Sequence, residues 1–206
     1  MTDGIIFDVD GTLWDMTEKF AAAWDAMSQK EPDTHVRITR DLLLNLFGKP
    51  LPVIGAALFD GTSTERQMEL LEKCFEEEYR VMEKEHQELY PGMYETLDAL
   101  SRKYPLFILS NAQSGYIEHF LPSTQSSSFF KAHTCFGDTG LEKCENLRQF
   151  IAHQKLLHPV YVGDTDGDHQ ECIKAGVPFV FASYGYGETK NPDYTIAKPE
   201  DLLNLF

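Results

Sequence analysis

Ile5-Ile6-Phe7-Asp8-Val9-Asp10-Gly11-Thr12-Leu13 decides the fold of this chain. Ile, Ile, Phe and Val suit a strand buried on both faces, the environment of a parallel sheet. Two aspartates, one residue apart, follow that apolar run, and a Gly-Thr turn closes it. The carboxylates therefore stand at a strand's carboxyl end, where open α/β sheets place their ligands. Like charges held that close need a cation or a shared proton.

The chain has 206 residues, enough for one core or for a core with a small inserted domain. Its 33 acidic and 18 basic residues give a formal charge of -15. Nucleic acid and anionic membranes need a cationic surface, so both are excluded as partners. A small phosphorylated substrate remains admissible if a metal and a few local cations reverse the field in its pocket. The cysteines, Cys74, Cys135, Cys144 and Cys172, contain no C-x-x-C pair and read as reduced thiols. The seven histidines show no metal spacing, and none is assigned a catalytic role. No signal segment is read before the first strand, and no apolar stretch is long enough to span a bilayer. The expectation is a cytoplasmic enzyme, monomeric or homodimeric.

Outward from the first strand, the pattern predicts an all-helical insert over 16–86. Asp15 with Glu18 reads as a capping box, ahead of Phe20, Trp24 and Met27 at helical spacing. Further helices are predicted over 38–47, stopping at Gly48 and Pro50, and over 53–59. The longest, over 64–88, carries Met68, Leu71, Phe75, Tyr79 and Met82 as an apolar stripe opposite a charged face. From residue 90 onward helices and strands alternate, with strands over 106–109, 132–136, 159–162 and 178–181. Alternation of this kind implies an α/β fold with a doubly wound, Rossmann-like parallel sheet. The expected domains are 1–15 with 87–206 as the α/β core, and 16–86 as the helical insert.

Further motifs then converge on one sheet edge. Ser110 ends the 106–109 strand and can donate to a phosphate oxygen or cap a helix. Gly163-Asp164-Thr165-Asp166-Gly167-Asp168 ends the 159–162 strand. Asp164, at the strand end, suits a hard divalent ion such as Mg2+; Asp168 suits orienting that site or its lysine. An EF-hand is excluded because no helix precedes the run and no glutamate closes a 12-residue loop. Gly137-Asp138-Thr139 imitates the same turn after a weaker strand and is read as an ordinary turn.

Phe7-Asp8-Val9-Asp10-Gly11-Thr12-Leu13 resembles the first motif of the haloacid dehalogenase-like hydrolases, most of which are phosphatases. Gly163-Asp164 with Asp168, continued by Ala175-Gly176-Val177-Pro178, resembles the family's fourth motif. Lys143 stands where the family carries its lysine, although Cys144-Glu145-Asn146 replaces the proline that often follows; Lys131 is the alternative. The resemblance implies a Mg2+-dependent hydrolase of a phosphorylated metabolite. In it Asp8 is the nucleophile that forms an aspartyl-phosphate, and Asp10 the general acid and base. Mg2+ is held by Asp8, the Asp10 carbonyl and Asp164, while Ser110, Asn111 and Lys143 hold phosphate. The insert would be the cap that reads the alcohol, in the manner of phosphoglycolate phosphatases and β-phosphoglucomutases, through residues such as Trp14, Phe20, Trp24 and Phe47.

Two other readings stay open: a phosphomutase using the same core, and a phosphate-binding regulator without turnover. Dehalogenation is disfavoured, because halide release leaves Asp10 without a task. A receiver domain also gathers carboxylates and a lysine, but it splits its acidic pair and phosphorylated Asp over different strands.

Overall fold

The computed structural model describes residues 2–47, 49 and 51–206. Two compact units divide the chain, one of Met1–Asp15 with Gln87–Phe206 and one of Met16–His86. The first strand, β1 (Gly4–Phe7), is buried along its whole length.

The helical unit contains α1 (Thr17–Ser28), α2 (Arg40–Leu44), α3 (Leu51–Leu58) and α4 (Thr64–Lys84). Its core joins Phe20, Trp24 and Met27 of α1 with Leu70, Leu71, Cys74 and Met82 of α4. Trp24 meets Phe75 and Phe47 edge-on, at 5.8 and 6.1 Å between centroids. The predicted Asp15–Glu18 capping box does not form: α1 begins at Thr17, and its N-cap is Met16, without a side-chain cap. Asp15 instead accepts a hydrogen bond from the Tyr186 hydroxyl at 3.0 Å. The second helix is shorter than predicted, capped by Thr39 through Leu42 N–H; the predicted stops at Gly48 and Pro50 lie outside the described residues. The stripe of α4 is rotated from the predicted one, with Cys74 and Glu78 buried and Met68, Phe75 and Tyr79 only half-buried.

The α/β unit continues with α5 (Met93–Ser101), β2 (Leu106–Ser110), α6 (Tyr116–Ser123), β3 (Phe130–Cys135), α7 (Phe136–Thr139) and α8 (Lys143–Gln154). Then come β4 (Pro159–Gly163), α9 (Asp166–Ala175), β5 (Phe179–Ala182), β6 (Tyr194–Ile196), a 3-10 turn (Pro199–Asp201) and α10 (Leu202–Leu205). The six strands form one sheet in the order β3-β2-β1-β4-β5-β6, every pair parallel. The doubly wound parallel sheet expected from the alternating pattern is thus the observed architecture. β6 escaped prediction because Tyr-Thr-Ile at a sheet edge is short, and only Ile196 is buried.

Register explains the core. Ala132, Phe107, Ile6, Tyr161 and Phe179 are successive partners across five strands, and so share one face. Leu147 and Phe150 of α8 and Cys172 of α9 pack on that face. Full burial of each large side chain contributes about 1.5–3 kcal/mol, so this rank anchors the sheet. Phe7 is paired with Ile108 and Val162. The residues just beyond those partners, Asp8, Ser110 and Asp164, consequently end at one sheet edge.

Candidate active site

At that edge, Asp8 follows β1 directly and its N–H donates to the Val162 carbonyl at 2.9 Å. Asp8 is 8% exposed, Asp168 5%, Lys143 4% and Asp164 0%. Lys143, the first residue of α8, extends its ammonium to Asp8 Oδ1 at 3.1 Å and to Asp168 Oδ1 at 2.5 Å. It also donates to the Tyr161 hydroxyl at 3.0 Å, and that hydroxyl gives its own proton to the Leu109 carbonyl at 2.7 Å. Lys131, the alternative lysine, lies exposed on β3. Of the two, Lys143 is the one that meets the carboxylates.

Asp168 owes its direction to a capping box that the sequence analysis overlooked. Thr165 caps α9 by accepting from Asp168 N–H at 3.1 Å. Asp168 Oδ2 in turn accepts from Thr165 N–H and its hydroxyl, at 3.2 and 2.7 Å. That reciprocal bond pair leaves Oδ1 for the lysine. The T-x-x-D spacing was the available signal. Tyr161 was also missed; a tyrosine in an otherwise aliphatic buried strand signals a hydroxyl that requires partners.

Asp164 is confined by two segments, residues 11–12 and 185–186. Thr12 Oγ1 donates to its Oδ1 at 3.3 Å and Tyr186 N–H to its Oδ2 at 2.7 Å. Gly11 has φ +76°, and a Cβ there would lie 2.1 Å from Asp164 Oδ2. A Cβ on Gly185 would lie 2.3 Å from Asp164 Cβ. Only glycine admits such close approach, and at Gly11 only glycine adopts the backbone freely. The loop after β5 that carries Gly185 and Tyr186 had no assigned role in the sequence analysis.

Asp8, Asp164 and Asp168 each offer an oxygen within 4.8 Å of the other two. Burial pushes the Asp8 carboxyl up to about 7, with Lys143 pulling it down and Asp168 and Asp10 adding to the rise. Burial likewise pushes Asp164 up to about 8, reinforced by the charges of Asp168 and Asp8. Burial opposes the Lys143 ammonium, but Asp168 and Asp8 outweigh it and hold its pKa well above the ordinary lysine value. Three buried carboxylates thus face one buried cation. All-oxygen donors with surplus negative charge fit a hard divalent ion.

Asp10 stands apart from this cluster. Its Oδ1 accepts from the Tyr116 hydroxyl at 2.6 Å and from Trp14 Nε1 at 3.0 Å. Burial raises its carboxyl, and those two donors oppose the rise. Ser110 is buried at the end of β2, its Oγ accepting from Ala112 N–H at 3.3 Å; Asn111 beside it is exposed. His169 is packed rather than presented: it stacks on Phe179 at 5.0 Å and bonds Thr189 at 2.8 Å.

The imitating turn is a real structural element, forming α7. Asp138 accepts from Ser114 Oγ at 2.7 Å and from Cys135 N–H at 3.3 Å. Gly137 donates to the Ala112 carbonyl at 3.0 Å, against the backbone of Gln113 and Ser114. It holds the loop after β2 and takes no part in the carboxylate cluster.

Residues 5–182 match the model of the haloacid dehalogenase-like hydrolase family. The chain belongs to that family. Among curated relatives of these hydrolases, it is 28% identical to a phosphoglycolate phosphatase of Escherichia coli O157:H7, covering 97% of this chain and 90% of the relative. It is also 28% identical to the phosphoglycolate phosphatase of Aquifex aeolicus, covering 98% and 95%. A haloacid dehalogenase-like hydrolase from Streptococcus pneumoniae superposes with a TM-score of 0.81 at 21% identity, over 100% and 98% of the two chains. Within the family, its similarity lies with the phosphatase branch. Among the described residues no helix is long and apolar enough to cross a membrane.

Proposed function

We propose that this hydrolase is a cytoplasmic, Mg2+-dependent phosphatase of a small phosphorylated metabolite, acting through an aspartyl-phosphate on Asp8. The observation that carries the reading is the buried contact of Lys143 with Asp8, beside Asp164 and at the carboxyl edge of β1. A carboxylate whose ionised form is favoured by a neighbouring ammonium, at the mouth of a parallel sheet, is placed as a nucleophile. Asp8 Oδ forms a bond to phosphorus as the ester P–O bond breaks, and Asp10 gives its proton to the leaving oxygen. Asp10 then takes a proton from water, whose oxygen bonds to phosphorus and releases Asp8. Lys143 neutralises charge on Asp8 and on the transferring phosphoryl oxygens, with Ser110 and Asn111 assigned to the remaining oxygens. Asp168 keeps Lys143 aimed. Asp8, Asp164 and the Asp10 carbonyl are the proposed ligands of Mg2+, which supplies charge neutralisation between two anions that would otherwise repel. The helical unit, Met16–His86, is assigned the role of the family's cap domain.

The test is phosphate release from a panel of small phosphomonoesters, with 2-phosphoglycolate first because of the relatives named above. Activity on at least one ester should vanish after dialysis against EDTA and return with millimolar Mg2+. Full activity in the metal-free protein overturns the Mg2+ assignment, and no release from any ester overturns the phosphatase reading.

A further inference from the structure

Asp10 is held by two side chains that the reaction scheme does not use. Tyr116, 3% exposed, is the first residue of α6, and Gly115 with φ +88° turns the chain into that helix. Its hydroxyl and the Trp14 indole N–H both bond Asp10 Oδ1. Among the described residues, no hydrogen bond goes to Oδ2. Trp14 is fully buried and packs edge-on to Phe120 at 4.7 Å and Tyr116 at 6.4 Å. Tyr116 and Phe120 are four residues apart on α6, so one helix face grips the indole. The backbone adds a bridge between Asp10 and Trp14, with Gly11 N–H donating to the Trp14 carbonyl at 2.9 Å. This is more rigidity than a buried tyrosine needs to satisfy its hydroxyl.

We infer that Tyr116, with Trp14, is a positioning residue for proton transfer at Asp10, pinning Oδ1 so that Oδ2 carries the mobile proton toward the leaving oxygen. The inference rests on the phosphatase reading. An oxygen already accepting two hydrogen bonds is the poorer site for a proton, so the acid form bears it on Oδ2. As Asp8 bonds to phosphorus and the ester P–O bond breaks, that proton passes from Oδ2 to the departing alkoxide. In the second half, water returns a proton to Oδ2 while its oxygen displaces Asp8 from phosphorus. Throughout, Oδ1 keeps its two donors. Without them the carboxyl plane turns in a broad, twofold torsional well, and the acid spends its time misaligned.

The experiment compares two substrates that differ in their need for an acid. An alkyl phosphate, the best ester of the panel, expels an alkoxide and requires the proton; p-nitrophenyl phosphate expels a stabilised anion and requires little. Tyr116→Phe should lower kcat on the alkyl ester about 10–100-fold, a share of the full general-acid contribution. On the aryl ester the loss should stay below about threefold, on the same Brønsted reasoning, and KM should stay close to wild type on both. In an Asp10→Asn background the same change should cost nothing further, the mark of residues acting through one another. Trp14→Phe removes the longer of the two hydrogen bonds and should show the same split at about three- to tenfold, in keeping with a weaker donor. Equal losses on both esters, or an undiminished loss in the Asp10→Asn background, overturn the inference while wild-type activity leaves the phosphatase reading intact. If wild type itself releases no phosphate, both fall together.

Discussion

Replacing Lys143 by methionine tests the electrostatics of the site without removing much volume. Methionine fills the channel of the lysine stem, so the perturbation is the loss of charge rather than a cavity. The ammonium side chain is 3% exposed and stands 3.1 Å from Asp8 Oδ1 and 2.5 Å from Asp168 Oδ1. Deleting one partner of a buried ion pair costs roughly 3–5 kcal/mol, because the remaining charge is left uncompensated. For a chain of this size each kcal/mol moves Tm by about 2–4 °C, giving an expected drop of about 6–20 °C in EDTA at pH 8. The loss must depend on pH. Asp8 already has its carboxyl raised to about 7 and loses the group that lowers it. The folded variant therefore binds protons that the unfolded chain releases, so its stability falls as pH rises. The deficit relative to wild type should be smaller at pH 6 than at pH 8, and Mg2+ should restore part of it at pH 8. Thermal melts of both proteins at the two pH values, with EDTA and with Mg2+, decide the matter. A deficit that is negligible at pH 8, or larger at pH 6, refutes the reasoning.

Further outcomes follow from the same geometry. Asp8→Asn should abolish phosphate release with the fold retained, and Asp10→Asn should slow turnover about 100–10,000-fold; near-normal activity in the first would sink the nucleophile assignment. Asp164→Asn should raise the Mg2+ concentration for half-maximal rate far more than Asp138→Asn, since Asp138 serves Ser114 and Cys135 instead; Mg2+ titration of both variants shows the order. Gly185→Ala, whose Cβ would meet Asp164 Cβ and the Gly11 carbonyl at 2.3 and 2.4 Å, should lose Mg2+-stimulated rate and melt earlier; wild-type behaviour means that the loop yields. In EDTA, wild-type Tm should fall as pH rises from 5 to 8, because Asp8 and Asp164 hold protons in the fold that unfolding releases. Mg2+ should flatten that slope, and a rising Tm over the same interval would contradict both raised carboxyls.

The sheet was legible because its strands are apolar runs closed by chemistry-bearing turns, and β1 is the clearest of them. β6 was not, since an edge strand buries little and carries no run. Lys143 could be placed only by its family position; its contact with Asp168 depends on the capping box that turns one carboxylate oxygen inward. Asp15 shows the opposite failure. Its spacing to Glu18 satisfies the local capping pattern, yet a distant tyrosine competes for the carboxylate and wins. The clamp on Asp164 was invisible for a related reason: glycines near residues 11 and 185 declare a close approach only when the two segments are brought together.

The position of β1 in the sheet has a consequence for synthesis. Gly4–Phe7 is flanked by β2 on one edge and β4 on the other, and β4 does not begin until residue 159. At 5–20 residues per second a ribosome needs about 8–30 s to cover that interval. During it this apolar, central strand has at least one edge unpaired, a template for pairing with a neighbouring nascent chain. The same placement that brings Asp8 and Asp164 together therefore leaves β1 of the newborn chain incompletely paired until β4 has been made.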